Sequence, residues 1–271
     1  MNNSTVSPQW LKDNLSHPDL IILDASQLDN KAGLTAEFEN VQIKGARAFD
    51  IKNKFSDTTS DFPNTLLNEQ AFEMACQQIG INNNSKIVVY DNLGIYTSPR
   101  VWWMFKTMGH DNITVLDGGL PTWITEGNET EEIKVSNYQE GNFKAQFKSH
   151  KIKSFTAIKN NVQSRKALII DARSEGRFNG TAPEPRADLR GGNIPQSINI
   201  PFQEVMENGQ FKSKTALAQV FSPLELTTQP LIFSCGSGIT ACIILMAYEM
   251  VQDNETSVYD GSWTEWAQLE S

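Results

Sequence analysis

The chain repeats itself once, at about half its length, and this restricts the folds open to it. Asp24 ends the apolar run Leu20-Ile21-Ile22-Leu23, and Asp171 ends the run Leu168-Ile169-Ile170. Asp24 precedes Asp91 by 67 residues, and Asp171 precedes Cys235 by 64. Asp91 precedes Asp117 by 26 and Cys235 precedes Asp260 by 25, and a tryptophan (Trp123, Trp266) follows six residues after each of those aspartates. A single repeat of this period is a duplicated domain, not a solenoid. Short apolar runs alternate with helical patterns in both halves, so each half is expected to be an α/β domain with a mainly parallel sheet flanked by helices.

The local signals fit that plan. Ser7-Pro8 reads as a helix cap followed by proline at the first helical position. Residues 68–79 place Phe72, Ala75, Cys76 and Ile79 on one helical face, with Gly80 as the stop. Lys86-Ile87-Val88-Val89-Tyr90 reads as a strand, and Pro99 to Met108 as an apolar helix. Residues 27–40 are expected to be a loop with one helical turn near Ala36-Glu37-Phe38. In the second half, Ala167 to Asp171, Leu231 to Cys235 and Ser257 to Tyr259 read as strands, and Thr215 to Phe221 as a helix. The expected division is an N-terminal domain over 1–126, a polar linker over 127–154 and a C-terminal domain over 155–271.

The two halves differ where it matters. Tyr90-Asp91-Asn92-Leu93-Gly94 in the first corresponds to Ser234-Cys235-Gly236-Ser237-Gly238 in the second. Cys235 is therefore expected at the carboxyl end of a strand, in a glycine-containing turn, just before the helix that begins near Ala241. Backbone N–H groups converge in such a turn, and the helix dipole favours an anion there. That setting favours a thiolate and makes Cys235 a candidate nucleophile; the alternative is a small, buried, inert side chain.

Composition removes several classes of function. There are 23 Lys and Arg against 32 Asp and Glu, a formal net charge of −9, and no basic stripe, so nucleic acid is not an expected partner. The residues from Met1 to Pro8 have neither the basic nor the apolar region of a secretory signal. No run approaches the ~20 apolar residues that span a bilayer, so no membrane is expected either. Cys76, Cys235 and Cys242 form no even framework and no C-x-x-C pair, and His17, His110 and His150 form no ligand-like cluster. The expectation is a cytoplasmic protein without metal or cofactor, with Cys76 and Cys242 as core residues.

A cysteine protease requires a histidine base, and the segment after His150 contains none. Phosphatase loops place an arginine six residues after the cysteine, and that position is Ala241. What remains is a cysteine backed by backbone donors, suited to attacking and carrying sulfur. Cys235-Gly236-Ser237-Gly238-Ile239-Thr240-Ala241 resembles the active-site loop of the two-domain rhodanese and mercaptopyruvate sulfurtransferase family, in its mercaptopyruvate branch. Ser98-Pro99-Arg100-Val101-Trp102-Trp103-Met104-Phe105, Leu116-Asp117-Gly118-Gly119 and Tyr259-Asp260-Gly261-Ser262-Trp263 also match, and the resemblance covers nearly the whole chain. Rhodaneses proper carry basic residues directly after the cysteine.

The resemblance implies two tandem rhodanese-like domains and a sulfurtransferase that moves sulfur from 3-mercaptopyruvate, through a persulfide on Cys235, to a thiol, thioredoxin-like or cyanide acceptor, releasing pyruvate. Thiosulfate sulfurtransferase and a non-catalytic persulfide carrier are the alternatives. It implies a loop of Gly236, Gly238, Ile239 and Thr240 around Cys235, with Ser237 helping to protonate the leaving enolate. It also implies that Arg177 and Arg186 bind the substrate carboxylate and carbonyl, where guanidinium forks suit the oxygens; their alternative is an ordinary exposed loop. Thr240 is expected to cap the following helix or bond within the loop. Arg173 and Arg190 contribute at most to the field. Some relatives carry a histidine that orients the serine, and Asn64 stands at that place in Phe62-Pro63-Asn64-Thr65-Leu66.

Overall fold

The apolar runs of both halves form central strands of parallel sheets, as expected of segments covered on both faces. The computed structural model describes residues 4–134, 136–224 and 228–270. The chain folds into two units. The first gathers the residues up to Asp57, Leu66–Lys148 and Asn208–Phe211; the second gathers Thr58–Thr65, Ser149–Glu207 and Lys212 onward.

In the first half the elements run β1 (Thr5–Val6), α1 (Pro8–Asn14), β2 (Leu20–Asp24), β3 (Val41–Ile43), β4 (Arg47–Ala48), α2 (Glu69–Gln78), β5 (Lys86–Tyr90), α3 (Ser98–Thr107), β6 (Ile113–Leu116), α4 (Gly119–Thr125) and β7 (Thr130–Glu132). The chain continues with β8 (Ile152–Lys153), α5 (Phe155–Ser164), β9 (Leu168–Asp171), α6 (Glu175–Phe178), β10 (Ile198–Asn199), β11 (Met206–Glu207), β12 (Gln210–Phe211), α7 (Lys214–Phe221), β13 (Leu231–Ser234), α8 (Thr240–Glu249), β14 (Thr256–Tyr259) and α9 (Ser262–Leu269).

The first sheet has the order β1-β6-β5-β2-β4, and the second has β8-β14-β13-β9-β10. All pairings in both are parallel. Matched strand for strand, the two orders are the same, so the duplication read in the spacings is a duplication of topology. In the second sheet the chain leaves β9 for the β10 edge and returns on the other side of β9 at β13. Such a reversal opens a crevice outside the carboxyl ends of the two strands. Asp171 ends β9 there, and Cys235 follows β13 there.

The helices form where their caps and apolar faces direct. Ser7 accepts from the Trp10 N–H ahead of Pro8, and Asn68 accepts from the Ala71 N–H ahead of α2. Gly80, at φ +74°, ends that helix with Phe72 and Cys76 buried. α8 follows the central strand, and Ala241 through Tyr248 are all buried. Ile169, Ile232, Ile158, Tyr259, Trp263 and Trp266 share the core of the second unit. Fully burying side chains of this size contributes roughly 1.5–3 kcal/mol each.

Two local expectations are corrected. Ala36-Glu37-Phe38 forms no helical turn; the Asn30 side chain instead accepts from the Ala32 and Leu34 N–H groups, an Asx-type turn that competes with helix. Thr240 does not cap α8: Ile239 holds the cap position, without a side-chain bond, and Thr240 is already helical. The stretch expected to be a linker carries β7, which pairs antiparallel with β3, and buries Phe143. No helix among the described residues is long and apolar enough to cross a membrane.

Candidate active site

The loop after β13 is tied down from its outer side by the start of α9. The Cys235 N–H donates to Ser262 Oγ (3.2 Å), and the Cys235 carbonyl accepts from the Trp263 N–H (2.9 Å). The Gly236 carbonyl accepts from both the N–H (3.0 Å) and the hydroxyl (2.6 Å) of Thr264. Ser262 is buried with φ +51°, a costly conformation for a residue with a side chain. Its hydroxyl, donating to the Tyr259 carbonyl at 2.8 Å while accepting from Cys235, holds that geometry. Sequence reasoning missed Ser262 and Thr264 as loop-fixing residues. Their signal was the Asp260-Gly261-Ser262-Trp263 segment, which had registered only as part of the repeat and of the family resemblance.

Cys235 itself is only 1% exposed. The Gly238 N–H donates to its Sγ at 3.1 Å. Gly238 turns that N–H inward with φ +81°, a left-handed conformation that favours glycine. The Cys242 thiol donates to the Gly238 carbonyl (3.3 Å), so this buried core cysteine also buttresses the turn. Gly236 lets Arg177 come close: a Cβ there would lie 2.9 Å from Arg177 Nη2 and push the guanidinium away from the loop. Ile239 is buried behind the loop. Ser237 lies between the two glycines, half-buried, and Asn64 reaches it from the Thr58–Thr65 segment of the same unit. Asn64 Nδ2 donates to the Ser237 carbonyl (3.0 Å) and to Ser237 Oγ (3.1 Å).

The arginines sort into distinct settings. Arg173 is completely buried; it holds Asp171 through Nε and Nη2 (2.7 Å to Oδ2), Glu184 through Nη1 (2.8 Å) and the Gly192 carbonyl (2.7 Å). Its guanidinium also lies 4.4 Å from the Trp263 ring centroid. With two carboxylates beside it, Arg173 is a structural cation. Arg190 is exposed, bonded to the Glu270 carbonyl and set over the same Trp263 ring. Arg177, on α6, donates through Nε (3.2 Å) and Nη2 (2.6 Å) to the other oxygen of Glu184. Glu184 thus bridges Arg173 and Arg177, a pairing that sequence did not reveal.

Arg186 differs. Among the described residues its only hydrogen bond is a long one, Nη1 to Thr264 Oγ1 at 3.4 Å, and no carboxylate pairs with it. Burial pulls its guanidinium pKa down, and the nearby Cys235 pushes it back up. The neighbouring Arg177 adds to the lowering. The fold therefore gathers Cys235, Ser237, Arg177 and Arg186 at the carboxyl end of the second sheet, with one cation partly desolvated and, among the described residues, in no direct ion pair; Asp188 and Glu184 act on it from further away.

Residues 7–126 and 154–269 each match the rhodanese-like domain family. The chain belongs to the rhodanese family. Its two rhodanese-like domains each carry a five-stranded parallel sheet flanked by helices. The chain is 38% identical to mouse 3-mercaptopyruvate sulfurtransferase over 96% of its length and 91% of that protein. It is 37% identical to the mitochondrial thiosulfate/3-mercaptopyruvate sulfurtransferase 1 of Arabidopsis thaliana, over 97% of this chain and 75% of the relative. The crystal structure of Escherichia coli SseA, a 3-mercaptopyruvate sulfotransferase by its description, superposes with a TM-score of 0.84 at 32% identity, covering 97% of this rhodanese chain and 99% of SseA.

Proposed function

We propose that this chain is a 3-mercaptopyruvate sulfurtransferase. The Cys235 thiolate attacks the sulfur of 3-mercaptopyruvate and forms the S–S bond of a persulfide. The C–S bond breaks, and its electron pair leaves with the carbon as the enolate of pyruvate. A proton delivered to that carbon, with help from Ser237, gives pyruvate. Arg186 and Arg177 hold the substrate carboxylate and carbonyl. The terminal persulfide sulfur then passes to a thiol, thioredoxin-like or cyanide acceptor. Backbone donors in the loop of Gly236, Gly238, Ile239 and Thr240 stabilise charge on sulfur as an oxyanion hole does on oxygen.

The observation that carries this reading is the charge of the site. The turn after Cys235 is neutral, Glu184 is paired with Arg173 and Arg177, and Arg186 has no ion pair among the described residues, with Asp188 and Glu184 acting on it only at longer range. One free cation suits a monocarboxylate better than the thiosulfate dianion. The named activities of the mouse and Arabidopsis relatives support the same chemistry. The Arabidopsis name includes thiosulfate, which keeps thiosulfate sulfurtransferase as the second reading. Labour divides between the repeats, with chemistry in the half from 155 to 271 and a supporting role for 1–126, because Asp91 stands where the second half has Cys235. A reducing compartment such as the cytoplasm suits a persulfide enzyme whose three cysteines are free thiols. The test compares pyruvate release from 3-mercaptopyruvate with turnover of thiosulfate, and follows sulfur on the protein by intact mass. Sulfur gained by the parent chain and not by Cys235→Ser is expected. A clear preference for thiosulfate overturns the donor assignment, and sulfur uptake that no acceptor discharges points to a carrier.

A further inference from the structure

The bonds between Asn64 and Ser237 fix the direction of a proton. A backbone carbonyl only accepts, so the side-chain atom facing the Ser237 carbonyl at 3.0 Å must be the Asn64 amide nitrogen. The orientation of the amide follows from that partner alone. The same nitrogen lies 3.1 Å from Ser237 Oγ, and an NH2 group has a hydrogen for each acceptor. Ser237 Oγ therefore accepts from Asn64, and its own proton points elsewhere. Among the described residues nothing accepts a hydrogen bond from it. Asn64 holds its position with φ +60°, a left-handed conformation that asparagine tolerates better than most residues.

This geometry bears on the step in which the enolate leaves. An accepted N–H bond polarises a hydroxyl and makes it a better donor. An amide, unlike an imidazole or a carboxylate, neither takes up nor releases a proton over the working pH range. We propose that Asn64 is a positioning residue that holds Ser237 as a donor towards the departing enolate, through an amide that does not itself titrate. As the C–S bond breaks, the Ser237 hydroxyl gives its proton to the enolate carbon. Asn64 steadies the developing oxygen charge, and water returns a proton to Oγ. The proposal rests on the mercaptopyruvate reading above.

The test uses the full chain and the near-isosteric Asn64→Asp, whose carboxylate only accepts and so draws the Ser237 proton back onto itself. The kcat for pyruvate release should fall about tenfold or more at neutral pH while KM for 3-mercaptopyruvate stays within about threefold, since the lost interaction acts in the transition state. Alkylation of Cys235 by neutral iodoacetamide, followed by mass, should keep its rate within about threefold, showing an intact fold and thiol. Asn64→His should add a limb to the kcat–pH profile near the ordinary histidine pKa of about 6.5, a limb the parent enzyme lacks. A kcat within about threefold in Asn64→Asp, or a change confined to KM or to the alkylation rate, overturns the proposal while the functional reading stands. A parent chain that releases no pyruvate from 3-mercaptopyruvate overturns both.

Discussion

Arg186 is where kinetics and stability should separate. On the proposed reading, Arg186→Ala costs the substrate carboxylate a charge-assisted contact worth about 1.5–3 kcal/mol. At about 1.4 kcal/mol per decade, kcat/KM for 3-mercaptopyruvate should fall roughly 10- to 150-fold. The folded chain should barely respond. Arg186 makes a single 3.4 Å bond to Thr264, has no ion-pair partner among the described residues, and is partly desolvated. Its loss should change unfolding free energy by no more than about 0.5 kcal/mol. Arg177→Ala should do the reverse in part. It breaks two bonds to the buried Glu184, whose remaining partner is Arg173, and should cost about 1.5–3 kcal/mol of stability. Arg186→Lys keeps the charge and loses the fork, so its kcat/KM should fall between parent and alanine variant. Initial rates of pyruvate release against 3-mercaptopyruvate, with urea unfolding of the same preparations, read both quantities. A loss in kcat/KM smaller than about threefold for Arg186→Ala would refute the assignment of Arg186 as the uncompensated cation that binds the donor.

Two further outcomes concern the first half. Asp91 Oδ2 accepts from the N–H groups of Tyr96 (2.9 Å), Thr97 (2.9 Å) and Ser98 (2.8 Å) and from the Ser98 hydroxyl (2.7 Å), and Oδ1 accepts from the Leu93 N–H (3.0 Å). Asp91→Ala strips a buried anion from these donors and should cost about 3–5 kcal/mol in urea unfolding; a cost under about 1 kcal/mol would contradict this account of the turn. Lys134, the Gly45 N–H and Gln42 hold the Glu131 carboxyl down to about 2. A depressed carboxyl stabilises the fold above its unfolded pKa, and that contribution disappears as pH falls through the folded value. The difference in unfolding free energy between the parent chain and Glu131→Gln should therefore be constant above about pH 5 and narrow between about 4.5 and 2. A gap that does not change with pH removes Glu131 from this role.

The parts of the fold that were legible in sequence are those that local pattern decides. β2, β5, β9 and β13 are short apolar runs covered on both faces, and burial on both faces is why they show as unbroken runs. Gly80 marks the end of α2 because a stop is chosen by backbone geometry within a few residues; the cap by Asn68 at its start came only with the structure. The edge strand β4 falls within residues 45–50, which read as a short strand, but the opposite edges β1 and β8 were not legible. Thr5–Val6 pairs with Val115 and Leu116, and Ile152–Lys153 with Val258 and Tyr259. Two residues carry no period of their own, so the neighbouring strand makes them strands. The same limit held in the site. Cys235, Gly236 and Gly238 stand out because turn and nucleophile are contiguous. The Glu184 bridge between Arg173 and Arg177, and the bonds of Ser262 and Thr264 to the loop, depend on side chains brought together by the sheet, and no spacing announces them.

The two halves make the same turn and fill it differently, and this explains why one copy is suited to chemistry. After β5 the anion is a carboxylate, and one oxygen of Asp91 takes three backbone N–H groups and a hydroxyl, which closes the turn around it. After β13 the side chain is shorter by one branch, and Sγ receives the Gly238 N–H. The residues in register with Tyr96, Thr97 and Ser98 are Thr240, Ala241 and Cys242, which open α8; the Cys242 N–H already donates to the Ile239 carbonyl (3.1 Å), while those of Thr240 and Ala241 are first-turn donors with no carbonyl partner within the helix. A sulfur added to Cys235 carries its charge one bond further out, beyond the thiol's own position. Two of the three backbone donors that a carboxylate takes up in the first half are thus disposed, in the second, towards the anion that the proposed persulfide would carry during turnover. On this argument an aspartate at position 235 would stabilise the turn and abolish sulfur transfer together, because one set of N–H groups cannot serve a permanent anion and a transient one.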